Sequence, residues 1–395
     1  MSTPAPLRVA LIGTAFMGRA HSQAWRVAPR MFELPREPEM AVIVGRDPER
    51  TEATARQQGW REAVTDWRDV VERDDIDVID ICTPGDSHAE IALAALAAGK
   101  HVLCEKPLAN TVAEAELMAA AARDAAELGV LAMCGFSYRR TPAIALMQRI
   151  VAEGRLGEIR HVRAQYLQDW ISDPDAPLTW RLDKEKAGSG ALGDIGAHII
   201  DTSQWVSASV ITAVSAQLRT FVPTRPVLGE SSGLGGRGVE DQPRGPVTVD
   251  DAAAWTATFD NGALGVFEAT RMALGRLNAN RVEINGSTGS IAFDFERMNE
   301  LEFYDAADEA GLQGFRRIQV TEPEHPYLDA WWPAGHGLGY EHTFVHEVVD
   351  LVRGIAAGGG THPTFDDAAQ VQRVLAAVEA SAGDESRLTQ VEAAR

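Results

Sequence analysis

Five short apolar runs in the first 134 residues restrict the fold more than any other feature of the chain. They are LRVALIG (7–13), MAVIVG (40–45), DVIDIC (77–82), HVLC (101–104) and VLAMC (130–134), all but the first two being separated by Ala-rich segments of helical length. Near-continuous apolar strands that alternate with helices predict an α/β domain, a parallel sheet covered on both faces. Ser87 with Glu90 and Thr111 with Glu114 fit the capping box at helix starts, and Gly99 and Gly129 stand where helices should stop. Cys82, Cys104 and Cys134 fall at the carboxyl ends of predicted strands without CxxC spacing, which suits small buried hydrophobes better than a redox pair or zinc site.

Directly after the first run comes GTAFMG, a G-x-A-x-x-G variant of the dinucleotide fingerprint. Gly13 suits the tight turn, Ala15 is small enough for a pyrophosphate to approach the backbone, and Gly18 allows close helix–strand packing. Phe16 and Met17 lie inside the same loop and count with them as candidate cofactor contacts. The second strand ends VIVGRDPER, with Gly45 and Arg46 where an acid would take the ribose hydroxyl of NAD. The cofactor expected is therefore NAD or NADP, with NADP slightly favoured, although Asp47 two positions on could also turn toward the ribose.

The chain of 395 residues exceeds what one core usually organises, so two domains are expected, 1–137 and 138–395. Its net charge of −20 opposes nucleic acid and anionic lipid as partners. No run approaches the ~20 apolar residues of a membrane span, and a cytoplasmic protein is the simplest expectation. In the second half, WTATFDNGALGVFEAT (255–270) holds an Asn-Gly hairpin signal, and RVEINGSTGSIAFDFE (281–296) repeats the pattern with a longer turn. Consecutive hairpins build an antiparallel sheet. The Pro/Gly-rich segment 222–246 is too long for an ordinary connector and reads as a functional loop, an arm to another subunit, or surface filler. A large sheet with one face uncovered by helices predicts a homodimer or homotetramer.

The stretches LIGTAFMGRAHSQAW, DICTPGDSHAEIALAALAAGKHVLCEKPLANT and GSGALGDIGAHIID together resemble the signatures of the glucose-fructose oxidoreductase and inositol dehydrogenase family, Gfo/Idh/MocA. FSYRRTPA, YLQDW and RGVEDQPRGPVTVDD are further similar to the branch that contains levoglucosan dehydrogenase and related sugar and cyclitol dehydrogenases. The resemblance implies a Rossmann domain followed by an α+β domain with a large, open, mostly antiparallel sheet. It implies Lys106, Asp194 and His198 as the catalytic group, and cofactor contacts from Thr83, Pro84 and His88. His88 also suits a plain first-turn surface position.

GDIGAHIID places Asp194 and His198 four residues apart, on one face if helical, with Asp201 near the same side. No further His/Cys cluster completes a metal site, and none is expected. Oxidising a secondary alcohol needs a base of near-neutral pKa for the hydroxyl proton, a role suited to His198. Lys106, in EKP at the end of a strand, can stabilise the developing oxyanion, with Asp194 orienting the polar network. Pro107 leaves the preceding bond open to cis geometry, and Glu105 could pair with Lys106 or the cofactor. Tyr138, Gln168, Asp169, Trp180 and Arg181, with His336 from HPYLDAWWPAGHGLGYEH, offer hydrogen bonds and an aromatic platform for a polyhydroxylated ring. The function expected is an NAD(P)-dependent sugar or cyclitol dehydrogenase. The alternatives are a glycoside-processing enzyme using transient cofactor oxidation, or a non-catalytic nucleotide-binding regulator.

Overall fold

A computed structural model describes residues 5–227 and 242–394. The chain forms two compact units, one running to Arg140 and taking up Gly339–Ala369, the other holding Thr141–Leu338 and the residues from Gln370 on. In the first, β1 (Leu7–Ile12), α1 (Phe16–Met31), β2 (Pro38–Val44), α2 (Pro48–Gln58), β3 (Glu62–Val64), α3 (Arg68–Val71), β4 (Val78–Ile81), α4 (His88–Ala97), β5 (His101–Cys104), α5 (Val112–Ala126) and β6 (Ala132–Cys134) follow in order. The strands make one six-stranded parallel sheet, ordered β3-β2-β1-β4-β5-β6. Strand order reverses between β1 and β4, and ligands of open α/β sheets bind outside the carboxyl ends of strands at such a switch point. Leu7, Val9, Leu11, Ile43, Ile79, Val102 and Leu103 are wholly buried, as the unbroken apolar runs require.

Local rules set the ends of most elements. Thr111 caps α5, its Oγ1 accepting from Glu114 N (3.2 Å) while Glu114 Oε2 accepts from Thr111 N (3.1 Å). The matching box at Ser87 does not form. A 3-10 turn over Gly85–Ser87 draws the Ser87 hydroxyl back to Thr83 Oγ1 (2.7 Å) and Pro84 O (2.9 Å), and Glu90 pairs with Arg68 instead. Gly99 and Gly129 adopt left-handed backbone, as expected of helix stops.

The second unit carries α6 (Pro142–Ala152), β7 (Ile159–Leu167), α7 (Lys184–Ala187), α8 (Ala197–Ser207), β8 (Ile211–Arg219), β9 (Thr224–Pro226), β10 (Arg244–Pro246), β11 (Ala252–Phe259), β12 (Leu264–Thr270), β13 (Ala279–Gly286), β14 (Gly289–Asp294), β15 (Glu300–Asp305) and β16 (Arg316–Gln319). Nine strands form its sheet, ordered β16-β15-β14-β13-β7-β12-β11-β8 and then β17 (Thr389–Gln390); only β7–β12 pair parallel. The Asn261-Gly262 turn joins β11 to β12, with Gly262 at positive φ and Asn261 Oδ1 accepting from Ala263 N at 2.9 Å. Residues alternate cleanly. Trp255, Phe259 and Phe267 point inward, Trp255 stacking on Phe267 at 5.1 Å, while Thr256, Thr258 and Glu268 point out. α6 and α8 cover the inner face. The outer face holds an open depression of about 820 Å³ lined by Arg163, Gln165, Val266, Glu268, Arg281 and Glu283. In the Pro/Gly-rich segment β9 pairs with β10, and the central part, 228–241, lies outside the described residues.

Two long helices precede β17, α9 (Glu341–Ala357) and α10 (Phe365–Gly383). α9, expected within 138–395, instead packs on α1, because its buried Phe344, Val345 and Val348 supply the apolar surface that α1 needs. Among the described residues no helix is long and apolar enough to cross a membrane.

Candidate active site

In the first unit, β1 runs into Gly13, whose φ of +123° and proximity to Cys82 O leave no room for a side chain: a Cβ would stand 2.6 Å from that oxygen. A Cβ on Gly18 would lie 2.0 Å from Gly13 O, so the fingerprint glycines are fixed by packing. Ala15, the N-cap of α1, makes no side-chain cap bond, and the first turn holds no acid. Helix N–H groups left this way, on an exposed loop of Ala15 and Phe16 with a half-exposed Met17, suit a pyrophosphate. Phe16 stacks on Tyr340 at 6.3 Å.

At the end of β2, Gly45 is confined between Thr14 and Thr51, and Arg46 is exposed. Asp47 caps α2 by accepting from Arg50 N at 2.8 Å, which ties its carboxylate to the helix rather than to a ribose. Thr83 and Pro84 lead out of β4. His88 is buried rather than at the surface, its Nδ1 facing Pro107 O (3.0 Å) and Nε2 facing Thr83 O (2.8 Å), so both ring nitrogens serve the loop. Glu105 likewise turns inward: Oε1 meets His21 Nε2 at 3.0 Å and Oε2 accepts from Lys106 N at 3.0 Å. Lys106 follows at half burial, and the Lys106–Pro107 bond is cis. Tyr138 is buried with its ring edge against Tyr340.

The three thiols are buried, and burial pushes those of Cys82 and Cys104 well up, away from thiolate. His21, Asp80 and Cys82 bring their ligand atoms within 4.8 Å of one another. They are already hydrogen-bonded together, with Cys82 Sγ 3.5 Å from Asp80 Oδ1, and a protonated thiol is a poor ligand.

In the second unit Asp194 sits in a π-helical turn, Leu192–Gly196, that runs into α8 carrying His198. The segment is thus not one continuous α-helix; π-turns are frequent at functional sites. Asp250 creates the turn: its Oδ1 accepts from Gly190 N (2.7 Å) and its Oδ2 from Leu192 N (2.8 Å), while a Cβ on Gly190 would sit 1.8 Å from Asp250 O. Arg271 Nη1 then reaches Asp194 Oδ2 at 3.3 Å. Arg181, whose pKa burial lowers against the attraction of Asp194, stacks over Trp180 at 4.4 Å. His198 is buried, its ring 5.9 Å from that of Tyr166, and Asp201 is buried further along α8.

Gln168 is engaged at both ends, Nε2 donating to Asn278 Oδ1 (2.9 Å) and Oε1 accepting from Trp170 Nε1 (3.0 Å). Asn278 Oδ1 also accepts from Tyr166 OH at 2.6 Å. Asp169 Oδ2 accepts from Gly275 N. Ile171, Leu182 and Val249, with Trp170 and Met272 packed on them, anchor these loops. His336 is exposed, its Nδ1 2.8 Å from Pro333 O; the rings of Trp331 and Trp332 meet at a tilt of 53°, 6.1 Å apart. Arg271, Asp250, Tyr166 and Asn278 escape sequence reasoning. The available signals are a lone arginine in EATR at the end of an apolar strand, the VDD pair before another, and the first residue of YLQDW, none of which marks a role by its spacing.

Two family models match the chain, "Oxidoreductase family, NAD-binding Rossmann fold" over residues 7–135 and "GFO/IDH/MocA C-terminal domain" over residues 144–292. The chain is 44% identical to levoglucosan dehydrogenase of Pseudarthrobacter phenanthrenivorans, over 96% of this chain and 97% of that protein. Among solved structures, an oxidoreductase domain protein from Kribbella flavida superposes with a TM-score of 0.94 at 60% identity, covering 99% of this chain and 100% of that one. A levoglucosan dehydrogenase in complex with NADH and levoglucosan superposes with a TM-score of 0.91 at 42% identity, covering 98% of this chain and 100% of that one.

Proposed function

The chain belongs to the Gfo/Idh/MocA family of NAD-binding oxidoreductases, and on that footing we propose that it moves hydride between a secondary alcohol of a sugar, anhydrosugar or cyclitol and NAD, with NADP also accepted. The observation that carries this reading is the pairing, in one chain, of a glycine-shaped nucleotide cradle with a π-turn that offers Asp194 one turn before His198. The relatives' NADH complexes and the Rossmann match support NAD; the exposed Arg46 and capped Asp47 support the acceptance of NADP.

The nucleotide, when bound, supplies the hydride acceptor. Gly13, Ala15 and the first turn of α1 would hold its pyrophosphate, Gly45 and Arg46 would flank the ribose 2′ position, and Phe16, Met17, Gly18, Thr83 and Pro84 are further candidate contacts. His198 takes the proton of the substrate hydroxyl, a transfer suited to an imidazole. Lys106 Nζ donates to the same oxygen as negative charge develops there. Asp194, held by Arg271, orients the hydroxyl. Trp180 and Arg181, with Gln168, Asp169, Tyr138 and His336, are the candidates for gripping the remaining hydroxyls.

The first unit accordingly serves the nucleotide and the second the sugar and self-association. The outward face of the nine-stranded sheet, with alternating Arg163, Glu283, Arg281 and Glu268, suits a second copy of the chain in a dimer or tetramer. A cytoplasmic setting agrees with three buried thiols.

The test is nicotinamide reduction by the purified protein, with NAD and with NADP, across levoglucosan, monosaccharides and inositols. Reduced cofactor appearing in step with an oxidised sugar supports the reading. Silence across the panel overturns it, and turnover of a glycoside without accumulation of reduced cofactor points to glycoside processing.

A further inference from the structure

We propose that His21 is a positioning residue for hydride transfer: clamped between Asp80 and Glu105, it fixes the carboxylate that anchors the backbone of Lys106. The proposal rests on the assignment of Lys106 to the reaction.

His21 lies buried on α1, with Nδ1 2.9 and 3.0 Å from the two Asp80 oxygens and Nε2 3.0 Å from Glu105 Oε1. Asp80 is wholly buried and takes three donors: the imidazole, Trp25 Nε1–H at 2.7 Å and the Cys82 thiol at 3.5 Å. A carboxylate held that way has no freedom left, so Asp80 sets the plane of the imidazole. The imidazole in turn sets Glu105, whose other oxygen receives the N–H of Lys106. Packing closes the remaining escape: a Cβ on Gly135 would stand 3.1 Å from Glu105 Oε1, and Phe344 lies 5.4 Å from the His21 ring.

The charge count agrees with the geometry. Two buried carboxylates around a neutral imidazole would repel across it, whereas an imidazolium between them donates to both. Burial works against that charge, but the attraction and hydrogen bonding of Asp80, joined by Cys82, outweigh it and raise the His21 pKa well above its ordinary value. The network could close at the Asp80–His21 pair. Here it continues through a third member whose last hydrogen bond is spent on the residue assigned to the substrate oxygen.

Full-length His21→Leu, His21→Gln, Glu105→Gln and Lys106→Ala, and the His21→Leu/Lys106→Ala double variant, are compared using the best substrate of the panel above. His21→Leu is expected to lower kcat about tenfold or more while KM for the sugar and Kd for NAD stay within about twofold. His21→Gln, which keeps a donor for Glu105, recovers part of the loss. In the Lys106→Ala background the same His21→Leu change costs less than about twofold further, because its effect passes through the lysine. Full additivity in that background, or a lowered Tm and weaker NAD binding with unchanged kcat, overturns the proposal. Should His21→Leu not fold, Glu105→Gln alone and with Lys106→Ala carries the same comparison. Undiminished turnover in folded Lys106→Ala would remove the assignment of Lys106 itself; a large loss there beside normal turnover in His21→Leu and Glu105→Gln removes only the role of His21.

Discussion

Arg271 and Asp194 form an ion pair in which only the anion meets solvent: the guanidinium is 1% exposed and the carboxylate 33%, with Nη1 3.3 Å from Oδ2. A buried cation cannot follow its partner, so the arginine dictates where the carboxylate stands. Arg271→Met, similar in reach but uncharged, is expected to lower kcat about tenfold with little change in NAD affinity. Replacing one partner of such a pair leaves a half-exposed Asp194 that water can serve, so Tm should change modestly. Steady-state kinetics and a melting curve on one preparation check both; normal kcat in folded Arg271→Met would contradict the role.

Lys106→Ala and His198→Ala should each lower kcat by ~10²-fold or more, the scale of lost acid–base or oxyanion assistance. Because both act on one proton transfer, the double variant should lose much less than the product of the two losses. Kinetics beside NAD titration separate this from a folding defect, which would scale activity with the amount of native protein.

Arg46→Ala tests the cofactor expectation. Asp47 is committed to α2, which leaves the exposed Arg46 as the charged group flanking Gly45 at the end of β2. Affinity for NADP should fall about tenfold and that for NAD by less than about twofold, as read by fluorescence titration. Equal loss for both cofactors would remove Arg46 from the 2′-phosphate.

His346 predicts an acid limb in the stability curve. Burial, working against its hydrogen bond to Arg140 O (2.9 Å), lowers its pKa from 6.5 to about 3. Between those two pH values the unfolded chain binds a proton that the folded one refuses. Stability therefore falls as pH drops through that window, by at most about 1.4 kcal/mol per pH unit from this residue. His346→Asn keeps a donor and removes the titration, so urea unfolding at pH 7 and pH 5 should show a smaller difference than in the parent.

Self-association through the open sheet face is checked by light scattering. A dimer or tetramer mass is expected, and Val266→Lys, placing a third cation beside Arg163 and Arg281, should shift it toward monomer. A concentration-independent monomer in the parent would refute this.

Much of the fold was legible because it obeys short-range rules. The apolar runs, the Thr111 cap, Gly13 and Gly18, and the Asn261-Gly262 turn each follow from a few adjacent residues. The site was legible only where a motif is contiguous. His21 meets partners 59 and 84 positions away, and Arg271 reaches 77 positions back to Asp194, distances over which no spacing rule operates. His88 and Glu105 show the same limit from the other side: spacing left His88 open between a cofactor contact and a surface position, and Glu105 between Lys106 and the cofactor, and Glu105 does accept from Lys106 N. Their polar atoms answer backbone groups and a histidine that the fold brings beneath them. The Ser87 box failed for a smaller reason, a 3-10 turn that reclaims the hydroxyl.

The position of α9 also bears on how the protein is made. Its Phe344 covers the face of α1 that carries His21, yet the ribosome delivers that helix only after every strand from β1 to β16 has emerged. The nascent nucleotide unit must wait with the His21 imidazole and Phe32 short of their lid, an exposed surface of the kind that chaperones hold. Truncation before Glu341, however remote from GTAFMG in sequence, would therefore leave the nucleotide unit permanently unfinished.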